Sequence, residues 1–323
     1  MDLDRITNLE KEYVNDVLNS QFRTSSGAKY MKLLEEEFAG KLGCDHAVSF
    51  INGTATMHAC LEAWDIGVGD EVIVTPLTMS STTFAVLQAN ATPVYADVDK
   101  DTFNIDPESI KNKITAKTKA IITVSLYGLS PDYDEILDII KDTDIKLLED
   151  NAECFLGTYK NKLVGSIGHA SSFSFQSSKH LTAGEGGMVT TNDEDFAIRL
   201  RKIQSLGYIG VGKGAKIKKS DIQDPDYDRH GSLGWNYRMP ELCAAVALAQ
   251  TQRIEDLVQA RIKAASLFSE AIRGFEDHLT EQHVPVGCTN SYWTWVVKIK
   301  EKDLWHDFKN TFNSSLFLTC VFC

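Results

Sequence analysis

The chain has 323 residues, enough for one large domain and a smaller one. Its 33 Lys and Arg against 45 Asp and Glu leave a formal charge of −12, and no block of basic residues offers a footprint for nucleic acid or an anionic membrane. With 43% hydrophobic and 24% charged residues the composition is that of an ordinary globular protein, which excludes a disordered, collagen-like or coiled-coil chain.

The N-terminal run MDLDRITNLEKEYVNDVL carries charges every few residues and has no apolar core, so it does not read as a signal peptide. No apolar stretch approaches the roughly 18 residues that a membrane span needs. Seven cysteines are scattered without a framework spacing, the pattern of reduced thiols, and the expected location is the cytoplasm.

From about residue 47 the pattern alternates between helix and strand. TATMHACLEAW (54–64) predicts a helix and DEVIVTPL (70–77) a strand; TTFAVLQAN predicts a helix and TPVYADVD (92–99) a strand. PESIKNKI (107–114) is helical, AIITVSLYG (120–128) a strand, DYDEILDIIKD helical and IKLLED (145–150) a strand. GHASSFSFQ and GGMVTTND add two strands, and DEDFAIRLRKIQSLG a helix stopped by Gly207. Such alternation implies crossover connections and an α/β fold, with a mostly parallel sheet flanked by helices.

The stretch 213–232 is polar and rich in Gly and turn residues, and reads as a long loop. A long helical segment starts at Pro240, and a strand-like SYWTWVVKIK (291–300) belongs to a second, smaller unit. The expected division is a large domain over 1–240 and connecting helices with a small C-terminal α/β domain over 241–323. The last ten residues, SSLFLTCVFC, lose charge and pattern abruptly, which suggests a truncated or altered end.

Three stretches carry chemistry at strand ends or helix starts, the edge at which open α/β sheets bind ligands. In Asn52-Gly53-Thr54-Ala55-Thr56, Gly53 permits a tight turn and Thr54 is a fair helix cap. The free amides of the following turn suit a phosphate, although an ordinary cap is the simpler account. Glu149-Asp150 closes a buried strand and is either a turn or capping acid, or a carboxylate under a cationic ring nitrogen. In Ser174-Phe-Gln-Ser-Ser-Lys179-His180-Leu-Thr182, Lys179 sits in a turn between apolar strands, before the reversal Gly184-Glu-Gly-Gly187. A lysine there is suited to be a Schiff-base nucleophile, and it follows the acid by 179 − 150 = 29 residues.

Taken together, these stretches resemble the DegT/StrS family of pyridoxal-phosphate-dependent sugar aminotransferases. The resemblance runs from about residue 25 to 300 through TSSG (24–27), NGT, GDEVIV, PVYADVD, EDNAE, SFSFQSSKHLTAGEGGMVTTND and LGWNYRM. Each motif is weak alone; the ordered set is specific. The resemblance implies a fold-type-I transferase that moves an amino group, with glutamate as the expected donor, to a nucleotide-linked keto sugar. Lys179 would carry the Schiff base with pyridoxal 5′-phosphate and shuttle the proton, and Asp150 would pair with the ring nitrogen. Gly53, Thr54 and Ser174 would hold the cofactor phosphate, and Glu153 would lie near the ring's 3′-oxygen. Asn236 would reach the phosphate in a neighbouring subunit, making a homodimer with shared sites. Where the family commonly stacks an aromatic ring on the cofactor, this chain has Met79.

Two rival readings remain. In the dehydratase branch of the family a histidine replaces the lysine; Lys179 opposes that reading, and the adjacent His180 keeps it in play. A catalytically inactive, cofactor-binding regulator is the other. The run Gly207-Tyr-Ile-Gly-Val-Gly212-Lys213-Gly214 nearly spells a phosphate loop but follows a helix and lacks the Ser or Thr for magnesium. Cys320-x-x-Cys323 has no second pair, so no metal site is expected.

Overall fold

A computed structural model describes residues 4–22, 28–210, 223–301, 303 and 305–315. The TSSG motif, the first half of the polar loop with the end of the near-phosphate-loop run, and Cys320-x-x-Cys323 lie outside these residues.

Two helices open the chain, α1 (Asn8–Asn19) and α2 (Lys29–Leu42). Thr7 and Glu10 cap α1 reciprocally, each side chain taking a backbone N–H of the first turn. Then come β1 (His46–Phe50), α3 (Gly53–Ala63), β2 (Glu71–Val74), α4 (Ser81–Gln88), β3 (Thr92–Tyr95), α5 (Pro107–Lys113), β4 (Thr118–Val124), α6 (Tyr133–Ile140) and β5 (Lys146–Asp150). Asp106 and Asp132 cap α5 and α6 through their carboxylates, and Pro107 opens α5, where its missing N–H costs nothing. The short strands β6 (Thr158–Tyr159) and β7 (Lys162–Leu163) precede β8 (Ala170–Ser174), β9 (Gly187–Thr191) and α7 (Glu194–Gln204). The C-terminal part holds α8 (Glu241–Gln252), α9 (Ile254–Ala271), β10 (Leu279–Glu281), β11 (Cys288–Thr289), β12 (Val297–Ile299) and α10 (Trp305–Ser315).

Seven strands form the main sheet in the order β1-β9-β8-β5-β4-β2-β3, with β9 antiparallel to both neighbours and the other pairings parallel. The central strands read as continuous apolar runs because helices cover both faces. Side chains alternate between them: Val72, Val74 and Leu148 pack with α3 and α7, and Ile73 and Leu147 with α6 on the other face. A third cluster joins α2, β8 and β9 to α8 and the start of α9 through Phe38, Phe173, Phe175, Leu248 and Val258.

Three readings are corrected. The strand expected over 120–128 ends at Val124, and residues 126–128 form a 3-10 turn in which Tyr127 has φ 62°. The helical segment from Pro240 breaks at Arg253, whose φ of −125° leaves its guanidinium facing Glu10 at 3.0 Å. In SYWTWVVKIK only Val297–Ile299 is strand, since the Ser291 N–H donates to the Gly128 carbonyl in the turn after β4.

Candidate active site

The strand β5 delivers two acids to opposite faces. Glu149 turns into the fold, where the backbone N–H groups of Gly165, Ile167 and Gly168 and the Ser171 hydroxyl donate to it at 2.7–2.8 Å. It is a structural anchor. Asp150 ends the strand on the other face, only 3% exposed, accepting from Thr82 Oγ1 at 2.9 Å and from the Ala152 N–H at 3.2 Å. Burial pushes its carboxyl above the usual aspartate range, opposed by these two hydrogen bonds and by the charge of Lys179.

Lys179 stands on the turn after β8, where its N–H donates to the Gln176 carbonyl at 3.0 Å. Its side chain is almost buried, with Nζ 3.7 Å from Glu153 Oε1 and 4.4 Å from the centre of the Trp293 ring. The second oxygen of Glu153 accepts the Tyr127 N–H at 2.9 Å, which ties the strained 126–128 turn to the site. Burial raises the Glu153 carboxyl, and the nearby Lys179 charge pulls it back down.

Gly53 and Ser174 meet where α3 starts beside the end of β8. A Cβ on Gly53 would lie 2.8 Å from the Ser174 Cβ, so a glycine is what permits this approach. Thr54 does not cap the helix; Asn52 does, accepting the Ala55 N–H at 2.8 Å. Asn52 rather than Thr54 has the extended backbone of a cap, with φ −165° and ψ 170°. That leaves the amides of Gly53 and Thr54 in the first turn of a helix that starts beside Ser174, a set of donors suited to a phosphate.

The remaining candidates separate. Met79 lies three residues before Thr82, whose N–H donates to the Met79 carbonyl, and its side chain is 68% exposed. Asn236 is exposed, and its side chain makes no hydrogen bond among the described residues. Its backbone bridges to Ser205, one residue before Tyr237, whose carbonyl accepts the Ile51 N–H. His180 points into the core: its Nε2 donates to the Ser291 carbonyl at 2.9 Å, and its Nδ1 has no partner among the described residues. Burial pushes its pKa down to about 3, so the ring is neutral at any ordinary pH.

Four site neighbours carry no signal in the sequence. Thr82 reads as one of several threonines on a helix, Arg261 as a surface cation on α9, Arg5 as one charge in a charged N-terminus, and Trp293 as a strand residue. Only tertiary structure brings them to Asp150 and Lys179.

The family model of the DegT/DnrJ/EryC1/StrS aminotransferase family matches residues 4–316. The chain belongs to this family. It is 34% identical over 298 residues to a GDP-perosamine synthase of Caulobacter vibrioides, covering 92% of this chain and 76% of that one. The aminotransferase from Psychrobacter cryohalolentis superposes with a TM-score of 0.86 at 32% identity, covering 96% of this chain and 80% of that one. An E. coli GDP-4-keto-6-deoxy-D-mannose-3-dehydratase with bound hydrated pyridoxal phosphate superposes at 0.85 and 29% identity, covering 96% and 81%.

The protein is thus a fold-type-I, pyridoxal-phosphate-dependent sugar aminotransferase. Its own residues fit the cofactor. The donors of Gly53, Thr54 and Ser174 suit the phosphate, a buried acid at Asp150 suits a cationic ring nitrogen, and the amine of Lys179 stands 3.7 Å from Glu153, with its charge felt at Asp150. In the aminotransferase no helix among the described residues is long and apolar enough to cross a membrane.

Proposed function

We propose that the aminotransferase moves an amino group from glutamate to a keto sugar carried on a nucleotide, with Lys179 as the base and Asp150 as the charge under the ring. The observation that carries this reading is the buried pair Lys179 and Glu153 beside the buried Asp150, with no other lysine near that acid among the described residues. Bound pyridoxal phosphate supplies an electron sink for the carbon that loses its proton. Lys179 Nζ takes that proton from the donor's carbon and returns one to the sugar carbon. Asp150 keeps the ring nitrogen protonated, Thr82 fixes the carboxylate's orientation, and Glu153 holds the lysine's charge. The five described cysteines are free thiols, which supports the cytoplasm as the place of reaction.

The named GDP-perosamine synthase makes a GDP-linked keto sugar the first acceptor to offer. Mass spectrometry of products from a panel of nucleotide keto sugars with glutamate tests the reading. A product heavier by replacement of oxygen with an amino group supports it; loss of water without nitrogen gain would establish the dehydratase. The second reading is weakened by His180, whose ring is held by the Ser291 carbonyl inside the core. If no sugar in the panel is changed while the cofactor is bound, the regulator reading takes its place.

The active homodimer would share its sites, with Asn236 of each chain reaching the phosphate held by the other. Support comes from the exposed Asn236 amide beside the apolar side chains of Leu233 and Trp235, which are 94% and 43% exposed. Lys179→Ala removes the base, and Asn236→Asp sets a negative charge against the phosphate. In a mixed dimer of the two, both lesions would fall in one site. The purified heterodimer is expected to recover up to about half of the wild-type activity if the sites act independently, whereas each mutant homodimer is nearly inactive. No recovery from an inactive Asn236→Asp homodimer would place Asn236 within its own chain's site.

A further inference from the structure

The turn that carries Lys179 belongs to no helix or strand, so its carbonyls need partners from elsewhere. They find them at both ends of the chain. Arg261 Nη2 on α9 donates to the carbonyls of Ser178 and Lys179, each at 3.0 Å, and its Nη1 donates to the Trp293 carbonyl at 2.5 Å. Trp293 Nε1 donates to the same Ser178 carbonyl at 3.1 Å. Arg5 donates to the carbonyls of Ser177 and Lys179. The next residue, His180, is tied by its ring to the Ser291 carbonyl. Segment 291–293 and α9 therefore hold the turn on its backbone side, while the Trp293 indole lies against the lysine amine that Glu153 also approaches.

Arg261 has no carboxylate partner among the described residues, and burial with the neighbouring charge of Arg5 pushes its pKa down to about 10. A half-buried guanidinium without an acid is retained here by carbonyls, and its planar fork spans three of them. A single ammonium could not span that set. The Trp293 face attracts the Lys179 ammonium and limits where the amine can stand.

We propose that Arg261 and Trp293 form a clasp that positions Lys179: the guanidinium fixes the turn's backbone, and the indole fixes the amine. Neither residue is catalytic; both act through the lysine. The inference rests on Lys179 being the lysine that takes the cofactor, as proposed above.

Displacing a reacting group by about 1 Å commonly costs on the order of 10²-fold in rate, which sets the expected size of the effect. The first measurement is capture of added pyridoxal 5′-phosphate by the cofactor-free enzyme, with no sugar present, read as borohydride-trapped label on Lys179 per folded molecule. The second is kcat and KM of the loaded enzyme. Arg261→Met and Trp293→Leu are each expected to slow capture and lower kcat about 10- to 100-fold, with KM within about threefold. Arg261→Lys should recover little, since it keeps the charge without the fork. Trp293→Phe should fall between, keeping a ring face and losing the bond to Ser178. A merely structural role would lower melting temperature while leaving capture per folded molecule unchanged. Capture and kcat within twofold of wild type in the two truncations, or full rescue by Arg261→Lys, overturns the clasp. If Arg261→Met does not fold, Trp293→Leu decides by the same criterion. Label on another lysine in the wild-type enzyme would instead sink the assignment of Lys179, which separates the two failures.

Discussion

Lys179→Ala is expected to abolish covalent cofactor attachment and to lower amino transfer by at least about 10³- to 10⁴-fold, because on the proposed reading one side chain supplies both the anchor and the base. Borohydride reduction of the wild-type enzyme followed by peptide mapping should place the pyridoxyl group on Lys179. Its discovery on another lysine would remove Lys179 from the centre of the reaction. The substitution also tests the electrostatics of the site. Burial raises the Glu153 carboxyl and Lys179 opposes that rise, so without the lysine the carboxyl moves further up. A carboxyl raised on folding contributes stability that is full below its unfolded value and is lost as pH rises through the folded one. The melting temperature of Lys179→Ala should therefore fall further below wild type at pH 8 than at pH 5. A deficit independent of pH would show that Glu153 and Lys179 are not coupled.

The main sheet is legible because its strands and helices are strongly patterned. EVIV, AIITV and KLLED are apolar runs flanked by helical periodicity, and each is a central strand covered on both faces. The two-residue strands β6, β7 and β11 have no such signal, since a two-residue strand has no period; β6 and β7 pair as a tight local hairpin, and β11 joins β6 from about 130 residues away. Arg253 broke a helix that the pattern read as continuous, because its partners, Glu10 and the carbonyls of Asp4 and Arg5, come from the far end of the chain. The site divided the same way. Asp150 and Lys179 stand in local settings that suggest chemistry, a buried strand end and a Gly- and Ser-rich turn. Local pattern alone does not separate Glu149 from Asp150, because alternation puts them on opposite faces without saying which face holds the ligand; the family resemblance points to Asp150, and the sheet shows Glu149 bonded inside the fold. Thr82, Arg261 and Trp293 act through contacts 68 to 115 residues apart, and no local pattern encodes those distances. Thr54 follows the turn glycine and reads as a fair cap by type, but Asn52, a stronger capping type, has the extended backbone that a cap requires.

Asp150→Asn is expected to lower turnover by about 10²- to 10⁴-fold and to leave the cofactor-free protein at least as stable as wild type. The two effects have one cause. Asp150 is buried, and in the cofactor-free protein its charge faces only the Thr82 hydroxyl, the Ala152 N–H and the more distant Lys179. Those partners do not offset its desolvation, and its carboxyl is raised above the ordinary aspartate value. An ionised Asp150 thus costs stability at neutral pH, and the cost grows as pH rises through the raised value. An uncharged isostere removes that cost: its carbonyl oxygen keeps the Ala152 N–H, which donates to Oδ1, and its amide nitrogen replaces Oδ2 and donates to the Thr82 hydroxyl, which turns to donate to Thr78. A cation placed against the carboxylate would remove it as well, which is what a protonated ring nitrogen provides. Loading with pyridoxal 5′-phosphate should therefore raise the melting temperature more in wild type than in Asp150→Asn. Turnover responds in the opposite direction, since an amide cannot hold the ring nitrogen's proton when charge flows into the ring. A variant that transfers amino groups at a near-normal rate would reduce Asp150 to a turn residue. A cofactor-induced stabilisation equal in the two proteins would mean that the carboxylate meets no cation in the loaded site.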